Sequence, residues 1–301
     1  MKIIKRDKIK KKFKRSVIAI GNFDGLHKGH KKVLKEAKQK AKKNKLSFGV
    51  ITFEPVPVMF FNKNIKHHRI NNLNQKISGL KEMKVDFINI IKFDKKFSNL
   101  NYIKFIQKII YKKFNCKYIF ISKNFKFGKN RKGNIFRLKK NESYYNFKTI
   151  ISKPLKKNAK VLSSSIIRSE ISKGNIHKAN SFLGRPWTIE GKVIKGEKRG
   201  RIIGFPTCNI KLKDYVVPKL GVYSVIVFVN NAQKKGIANI GYRPTFNGKI
   251  LLLEVNIFGL KKNLYNKNLK VSFVKFIRPE KKFNNIRELK IQIKKDIKKI
   301  R

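Results

Sequence analysis

Two histidines stand three apart in the stretch GNFDGLHKGH, Gly21 to His30, with Gly29 between them. Imidazoles at that spacing can donate hydrogen bonds to phosphate oxygens and to charge developing on a leaving pyrophosphate. They can also share a metal, or be ordinary surface histidines. A metal would want further His, Cys or carboxylate ligands, and the next histidines, His67 and His68, fall in a stretch without periodic pattern. The flanking sequence favours phosphate. The apolar run SVIAI leads in as a buried strand, and HKKVLKEAKQKAKKN follows as an amphipathic helix. Strand, glycine turn and helix bring the N–H groups of a helix N-terminus to the sheet's C-terminal edge, where anions bind. His27 and His30 then face the same side of the first turn, and Gly29 leaves no side chain to obstruct a nucleotide. A second chemical candidate is Glu254, inside the apolar run LLLEVNIF. Burying a lone carboxylate is costly, so Glu254 is either a working group or one of the outward-facing residues of a strand.

The elements that must position these groups follow from periodicity. Residues 17–21, 48–53, 85–93 and 117–122 read as strands, and helical spacing marks 72–83, 102–114 and 163–184, with Gly174 closing the first helix of the last segment. Such alternation predicts an α/β domain with a parallel sheet over residues 1–184. Beyond Gly184 the runs WTIEGKVIKG, YSVIVFVNN, KKGIANIGY, ILLLEVNIF and LKVSFVKFI are short, β-rich and punctuated by Gly, Asn and Pro. They predict an antiparallel β-barrel domain over 185–301. Its C-terminal helix presents Ile286, Leu289, Ile293, Ile297 and Ile300 on one face, expected to pack against the barrel.

Composition limits the remaining classes. Lysine and arginine total 76 against 16 acidic residues, a formal charge of +60. A dedicated nucleic-acid binder concentrates its charge on one face and uses arginine to read bases. Here the charge is mostly lysine, scattered along the whole chain. Its companions Asn, Ile and Phe are also residues of AT-rich codons, so codon bias accounts for most of it. Weak, salt-sensitive binding to polyanions is still expected, but no specific nucleic-acid partner. Cys116 and Cys208 have no paired spacing, which argues against a disulfide framework. No apolar run is long enough to span a bilayer. The expectation is a soluble cytoplasmic protein without a membrane partner; oligomeric state is not legible.

The motifs together resemble one family. GNFDGLHKGH is similar to the H-x-G-H signature of nucleotidylyltransferases and, in its longer form, to that of the prokaryotic bifunctional riboflavin kinase/FAD synthetases. VITFEPVP resembles that family's T-F-E-P-H-P, with Val56 for histidine. ISKNFKFGKNRKG resembles its G-x-D-F-x-F-G-x-x-R-x-G, with Ser122 for Gly and Asn124 for Asp. SSSIIR is similar to its S-S-T-x-I-R. GRIIGFPTCN, GVYSV, ANIGYRPTFNG, LEVNIF and FIRPEKKF resemble the kinase half.

The resemblance implies two activities in flavin biosynthesis, both using ATP with Mg2+. A Rossmann-like N-terminal domain would transfer the adenylyl group of ATP to FMN, giving FAD and pyrophosphate. His27 and His30 would hold the ATP phosphates, with Gly21, Asn22, Asp24 and Gly29 shaping the turn. Arg168, Ser164 and Ser165 would reach the pyrophosphate, and Asn124 and Phe125 would lie toward the flavin or adenine. Serine before an apolar run is also a good helix cap. The C-terminal domain would phosphorylate riboflavin to FMN. Gly200, Arg201 and Gly204 would approach the phosphates, Thr207 and Asn209 would coordinate Mg2+, and Glu254 would be the base. Arg278 is structural or touches flavin. Asn256 and Gly259 replace residues that are usually His and Asp. Because Asn124 lacks a carboxylate's charge, a kinase with weakened or lost FAD synthetase activity is one alternative. Another H-x-G-H nucleotidylyltransferase, or a basic RNA-binding protein, are the others.

Overall fold

Strands covered by helices on both faces read as unbroken apolar runs. In the computed structural model such runs form the centre of a parallel sheet. It describes residues 1–4, 9–157, 160–196, 199–229, 232–245, 248–260 and 262–300, which divide into two units. The first comprises Met1–Lys66 and Leu73–Ser163, the second His67–Asn72 and Ser164–Arg301. Residues 230–231 and 246–247, parts of two quoted motifs, lie outside the described residues.

The first unit holds β1 (Lys2–Ile4), β2 (Val17–Ile20), β3 (Phe48–Glu54), β4 (Phe87–Lys92), β5 (Tyr118–Ser122) and β6 (Lys148–Ser152). They pair in the order β1-β4-β3-β2-β5-β6, all parallel. The chain winds outward from β2 through β3 to β4, then crosses back to β5 beside β2. The switch point therefore lies between β2 and β5, where open α/β sheets bind ligands. Val17 and Ala19 face one apolar cluster, with Leu34, Ala37 and Ala41 of helix α1 (Lys28–Lys43) and Leu80 of α2 (Leu73–Glu82). Ile18 and Ile20 face the other, with Phe105, Ile106 and Ile110 of α3 (Tyr102–Phe105, continuing as a π-helix over Ile106–Lys113). The alternate residues of one strand thus feed two cores. Neither β1, inside the basic N-terminus, nor β6 stands out in the sequence.

The second unit begins with α4 (Ser164–Ser172) and α5 (Ile176–Leu183). Gly174, at φ 81°, stands between them. The barrel strands are β7 (Trp187–Ile194), β8 (Cys208–Lys211), β9 (Gly221–Val229), β10 (Ala232–Thr245), β11 (Gly248–Ile257) and β12 (Asn268–Arg278). They close in the order β8-β11-β10-β9-β12-β7, all antiparallel. Trp187, Tyr223 and Phe273 pack inside, with ring centroids 4.8 Å (Trp187–Phe273) and 5.1 Å (Tyr223–Phe273) apart. Helix α5 is bonded to the barrel: Asn180 donates to the Phe273 carbonyl at 2.9 Å and accepts from the Trp187 amide at 2.7 Å.

The stretch around His67 and His68 forms no helix or strand, as its sequence predicts, but it is tied down by long-range bonds. Residues 67–72 join the second unit, where the amides of His68 and Arg69 donate to the Asp214 carbonyl at 2.9 and 2.8 Å. The Trp187 indole N–H donates to the Ile70 carbonyl at 3.0 Å. Arg185 also donates to Asn71 at 3.0 Å and Asn72 to the Tyr215 hydroxyl at 2.8 Å; such partners are distant in the chain, so local periodicity is silent about the segment.

The C-terminal helix α6 (Ile286–Lys298) also departs from a simple apolar stripe. Ile286 is 57% exposed, while Asp296 is buried. Asp296 receives a bond from Arg278 Nε at 2.8 Å and another from Gln292 at 2.8 Å. An Arg–Asp pair therefore ties the helix to β12. Removing one partner of a buried pair strands the other charge and costs about 3–5 kcal/mol. Asp296→Asn should lower the unfolding free energy of the second unit by about that amount. Adding Arg278→Met should recover much of the loss in denaturant melts.

Candidate active sites

The first site is built at the turn between β2 and α1. Phe23, Gly25 and Leu26 take positive φ values of 48°, 82° and 42°. Two non-glycine residues in the left-handed region within four positions mark a backbone held by its surroundings. Phe23 and Leu26 are both buried and act as the plugs that hold it. Helix α1 then starts at Lys28 with His27 as its N-cap, whose Nδ1 accepts the His30 backbone N–H at 3.3 Å. An accepting Nδ1 carries no proton, so neutral His27 bears its hydrogen on Nε2. The two imidazoles stack with centroids 3.6 Å apart and planes 21° from parallel. Phe23 meets His30 edge-on at 5.3 Å.

Gly29 suits this packing: a Cβ there would lie a tight 3.1 Å from the His27 ring, which would have to shift to admit it. His30 Nδ1 is buried without a hydrogen-bond partner. Burial first, then the charges of His27 and Lys76, hold the His30 imidazole well below its ordinary value of 6.5. No acidic side chain occupies the first turn of α1, so the positive end of its dipole is not neutralised there.

Asn22 is exposed at this turn and Asp24 is buried. The Asn22 carbonyl accepts from Thr52 Oγ1 at 3.2 Å, and Lys76 Nζ approaches the same hydroxyl at 3.5 Å. Nothing in the sequence singles out Lys76, one lysine among many. The available signal is its place on the inward face of α2, four residues before Leu80. Asn124 is exposed in the turn after β5, and Phe125 stacks on Phe127 at 5.4 Å.

Ser164, Ser165 and Arg168 belong to the second unit. They form the first turn of α4, with Arg168 Nη2 3.5 Å from Ser165 Oγ.

The second site lies on the barrel. Leu251, Leu253, Val255 and Ile257 fill its interior, so by alternation Glu254 faces outward. Asn209 of β8 and Asn239 of β10 are its direct cross-strand neighbours. The row Asn209–Glu254–Asn239 therefore shares one face. The Glu254 carboxylate is held by Arg243, with Nε to Oε1 at 3.3 Å and Nη2 to Oε2 at 2.9 Å. Arg243 also reaches Glu280 at 3.4 Å. The pair raises the Arg243 pKa through its bond to Glu254. Glu254 therefore faces outward and is paired with Arg243, and a carboxylate on the outer face can still act on a substrate.

Asn209 Oδ1 is buried with no protein partner. Thr207 stands two residues before it, exposed, in the loop that opens β8. That loop turns tightly: the Phe205 amide bonds the Gly200 carbonyl at 2.8 Å and the Gly204 amide bonds that of Arg201 at 3.1 Å. A Cβ on Gly200 would meet the Phe205 carbonyl at 2.5 Å and Thr207 Oγ1 at 3.3 Å, so only glycine closes it. A cavity beside the loop is lined by Val193, Arg201, Pro206, Thr207, Val255 and Ile257. Arg278 is engaged at the C-terminal helix through Asp296.

Comparison with known proteins decides the family. Residues 9–166 match the FAD synthetase family model and residues 183–301 the riboflavin kinase model. A protein of Buchnera aphidicola subsp. Schizaphis graminum named bifunctional riboflavin kinase/FMN adenylyltransferase is 42% identical, over 96% of this chain and 94% of its own length. One of the same name from Haemophilus influenzae is 38% identical over 93% of this chain and 91% of its own. The chain belongs to the bifunctional riboflavin kinase/FMN adenylyltransferase family. A solved structure from Streptococcus pneumoniae has a TM-score of 0.86 at 30% identity, covering 99% of this chain and 97% of its own. That protein is described as a macrolide-efflux protein. Among the described residues of this chain no helix is long and apolar enough to cross a membrane.

Positions that depart from the riboflavin kinase/FMN adenylyltransferase motifs have structural roles here. Val56, for histidine, is buried at 3% exposure as the residue before a short helix, Pro57–Phe61. Asn256 donates to the Pro206 carbonyl at 2.7 Å, tying the loop that carries Thr207 to β11. Gly259 sits at φ 67° with open space beside it. Ser122 ends β5 on the surface.

The buried imidazole generates a pH dependence. Below pH 6.5 the unfolded chain protonates His30 while the folded chain does not, so the unfolded state binds more protons. The stability contribution is complete above that pH and declines as pH falls, by at most about 1.4 kcal/mol per pH unit. Thermal melts of the first unit between neutral and mildly acidic pH should therefore fall less steeply for His30→Asn than for the unaltered chain.

Proposed function

We propose that residues 1–184 convert FMN and ATP to FAD and pyrophosphate, and that residues 185–301 convert riboflavin and ATP to FMN and ADP. The observation that carries this reading is the pair of family matches on one chain, each over its own cluster of motifs. The family matches over 9–166 and 183–301 support the division at 184/185.

Adenylyl transfer forms a bond between an FMN phosphate oxygen and the α-phosphorus of ATP and breaks the bond to pyrophosphate. The attacking oxygen is already anionic, so no general base is needed. The site has to align reactants and stabilise charge on the departing group. Neutral His27, with its proton on Nε2, and His30 supply hydrogen-bond donors for that purpose at the positive end of α1. Arg168, with Ser164 and Ser165, is assigned to the pyrophosphate, and Asn124 with Phe125 to the flavin or adenine.

The kinase reaction moves a proton as well. The riboflavin 5′-hydroxyl attacks the γ-phosphorus, its proton passes to Glu254, and ADP leaves. Arg243 holds Glu254 through two bonds, and a carboxylate bonded twice by one guanidinium still has lone pairs for a substrate hydroxyl. The buried, unpartnered Oδ1 of Asn209 and the Thr207 hydroxyl fit Mg2+, a hard cation that takes oxygen ligands together with substrate phosphates. Bound there, Mg2+ neutralises charge on the ATP phosphates. Gly200, Arg201 and Gly204 form the turn beside them, next to the cavity that Arg201 and Thr207 help to line. The ion pair with Asp296 favours the structural role for Arg278.

The scattered lysines support weak, salt-sensitive polyanion binding and no specific nucleic-acid partner. The free thiols of Cys116 and Cys208 suit a cytoplasmic enzyme.

The paired variants Glu254→Gln and His30→Ala test the assignment in a coupled assay with riboflavin, ATP and Mg2+. Glu254→Gln should lose about 100-fold or more of FMN formation while converting supplied FMN to FAD at near the normal rate. His30→Ala should do the reverse. Equal loss of both activities in either variant contradicts the two-site reading.

A further inference from the structure

Among the described residues Lys76 is the only buried lysine, at 1% exposure, in a chain with 76 lysines and arginines. An ammonium is expensive to take out of water, and lysines placed by codon bias stay on the surface. Lys76 occupies the inward face of α2, sharing it with buried Leu80. A methionine or leucine would fill that position without the desolvation cost, so the charge itself has a use there.

Its surroundings point to that use. Lys76 Nζ lies 3.5 Å from Thr52 Oγ1, and Thr52, itself 1% exposed, donates onward to the Asn22 carbonyl at 3.2 Å. A hydroxyl has one donor and two acceptor sites, so Thr52 can accept from the lysine and donate to the turn at once. The relay runs from α2 through β3 to the turn that carries both histidines. The same helix abuts that turn a second time, since a Cβ on Gly79 would fall 2.7 Å from Leu26 Cδ1. Lys76 is also close enough to His30 for its charge to oppose protonation of that ring, alongside His27.

We propose that Lys76 is a positioning residue for adenylyl transfer, acting through Thr52 on the Asn22 turn and as a fixed positive charge behind the His27–His30 stack. The relay sets where the turn's backbone lies against a polyphosphate. The charge opposes protonation of His30 and adds attraction for a polyanion. This rests on the assignment of FMN adenylylation to residues 1–184.

Three variants of the full chain test it: Lys76→Met, which keeps length and removes charge; Lys76→Arg, which keeps charge; and Thr52→Val, which keeps charge and cuts the relay. FAD formation from FMN and FMN formation from riboflavin are measured on each preparation. A misplacement of the turn by about 1 Å costs on the order of 100-fold. Lys76→Met should therefore lose about 100-fold in kcat for FAD formation with KM for FMN within about threefold. Its kinase rate should stay within about twofold. Lys76→Arg should recover about tenfold of that loss, and Thr52→Val should be about tenfold slow in FAD formation with its kinase rate within about twofold. FAD formation by Lys76→Met within about threefold of the unaltered chain overturns the proposal. If Lys76→Met does not fold, Thr52→Val decides, and a normal rate in that variant overturns it. An unaltered chain that makes no FAD would instead overturn the adenylylation reading itself.

Discussion

The bond from the His30 backbone N–H to His27 Nδ1 fixes more of the first site than any other contact. It sets where α1 begins, because the capping residue satisfies an amide that the helix cannot. It also fixes the tautomer of His27 and turns the two rings into a stack 3.6 Å apart. That stack crowds position 29, where a Cβ would press on the His27 ring at 3.1 Å. The plugs Phe23 and Leu26 hold the turn above it, and the parallel strand order puts the whole arrangement at the sheet's switch point. A helix start, a tautomer and a glycine are thus one constraint seen from three sides.

The two units meet the same problem, a polyphosphate in water, with different chemistry. Adenylyl transfer uses a nucleophile that needs no deprotonation, and the first site offers hydrogen-bond donors and a helix terminus in place of a base. Phosphorylation of a hydroxyl must dispose of a proton, and the second site holds a carboxylate on the outer face of the barrel. There an arginine keeps it paired and two asparagines flank it across the strands. The barrel's apolar interior keeps that row in register: a one-residue slip of β11 would turn Glu254 inward among Leu253 and Val255.

Much of this was legible in the residues. The strands through Val17, Phe48 and Phe87 are apolar on both faces, and only a helix-covered parallel sheet explains that. The H-x-G-H turn and the GFPTCN loop are local, so the residues that define them are neighbours in the chain. What stayed hidden depends on distant partners. Glu254 acquires its meaning from Arg243 and Asn209. Residues 67–72 join the barrel unit by backbone and side-chain bonds to distant residues that no periodicity records. Asp296 looks like a surface residue of an amphipathic helix until Arg278 is brought to it. Lys76 is invisible because codon bias surrounds it with identical residues, and only burial separates it from them. Val56 and Asn256 read as losses when compared with a motif. In place they are a core residue and a loop tether.

The central claim is that one chain places the γ-phosphate and the α-phosphate of ATP into flavin at separate sites. It is tested most directly by supplying riboflavin, Mg2+ and ATP radiolabelled at either the γ or the α phosphorus, and separating the flavins over time. The account predicts γ-label first in FMN and then in FAD, with α-label only in FAD, after a lag, matched by released pyrophosphate. Accumulation of γ-labelled FMN with no α-label ever entering flavin would contradict it.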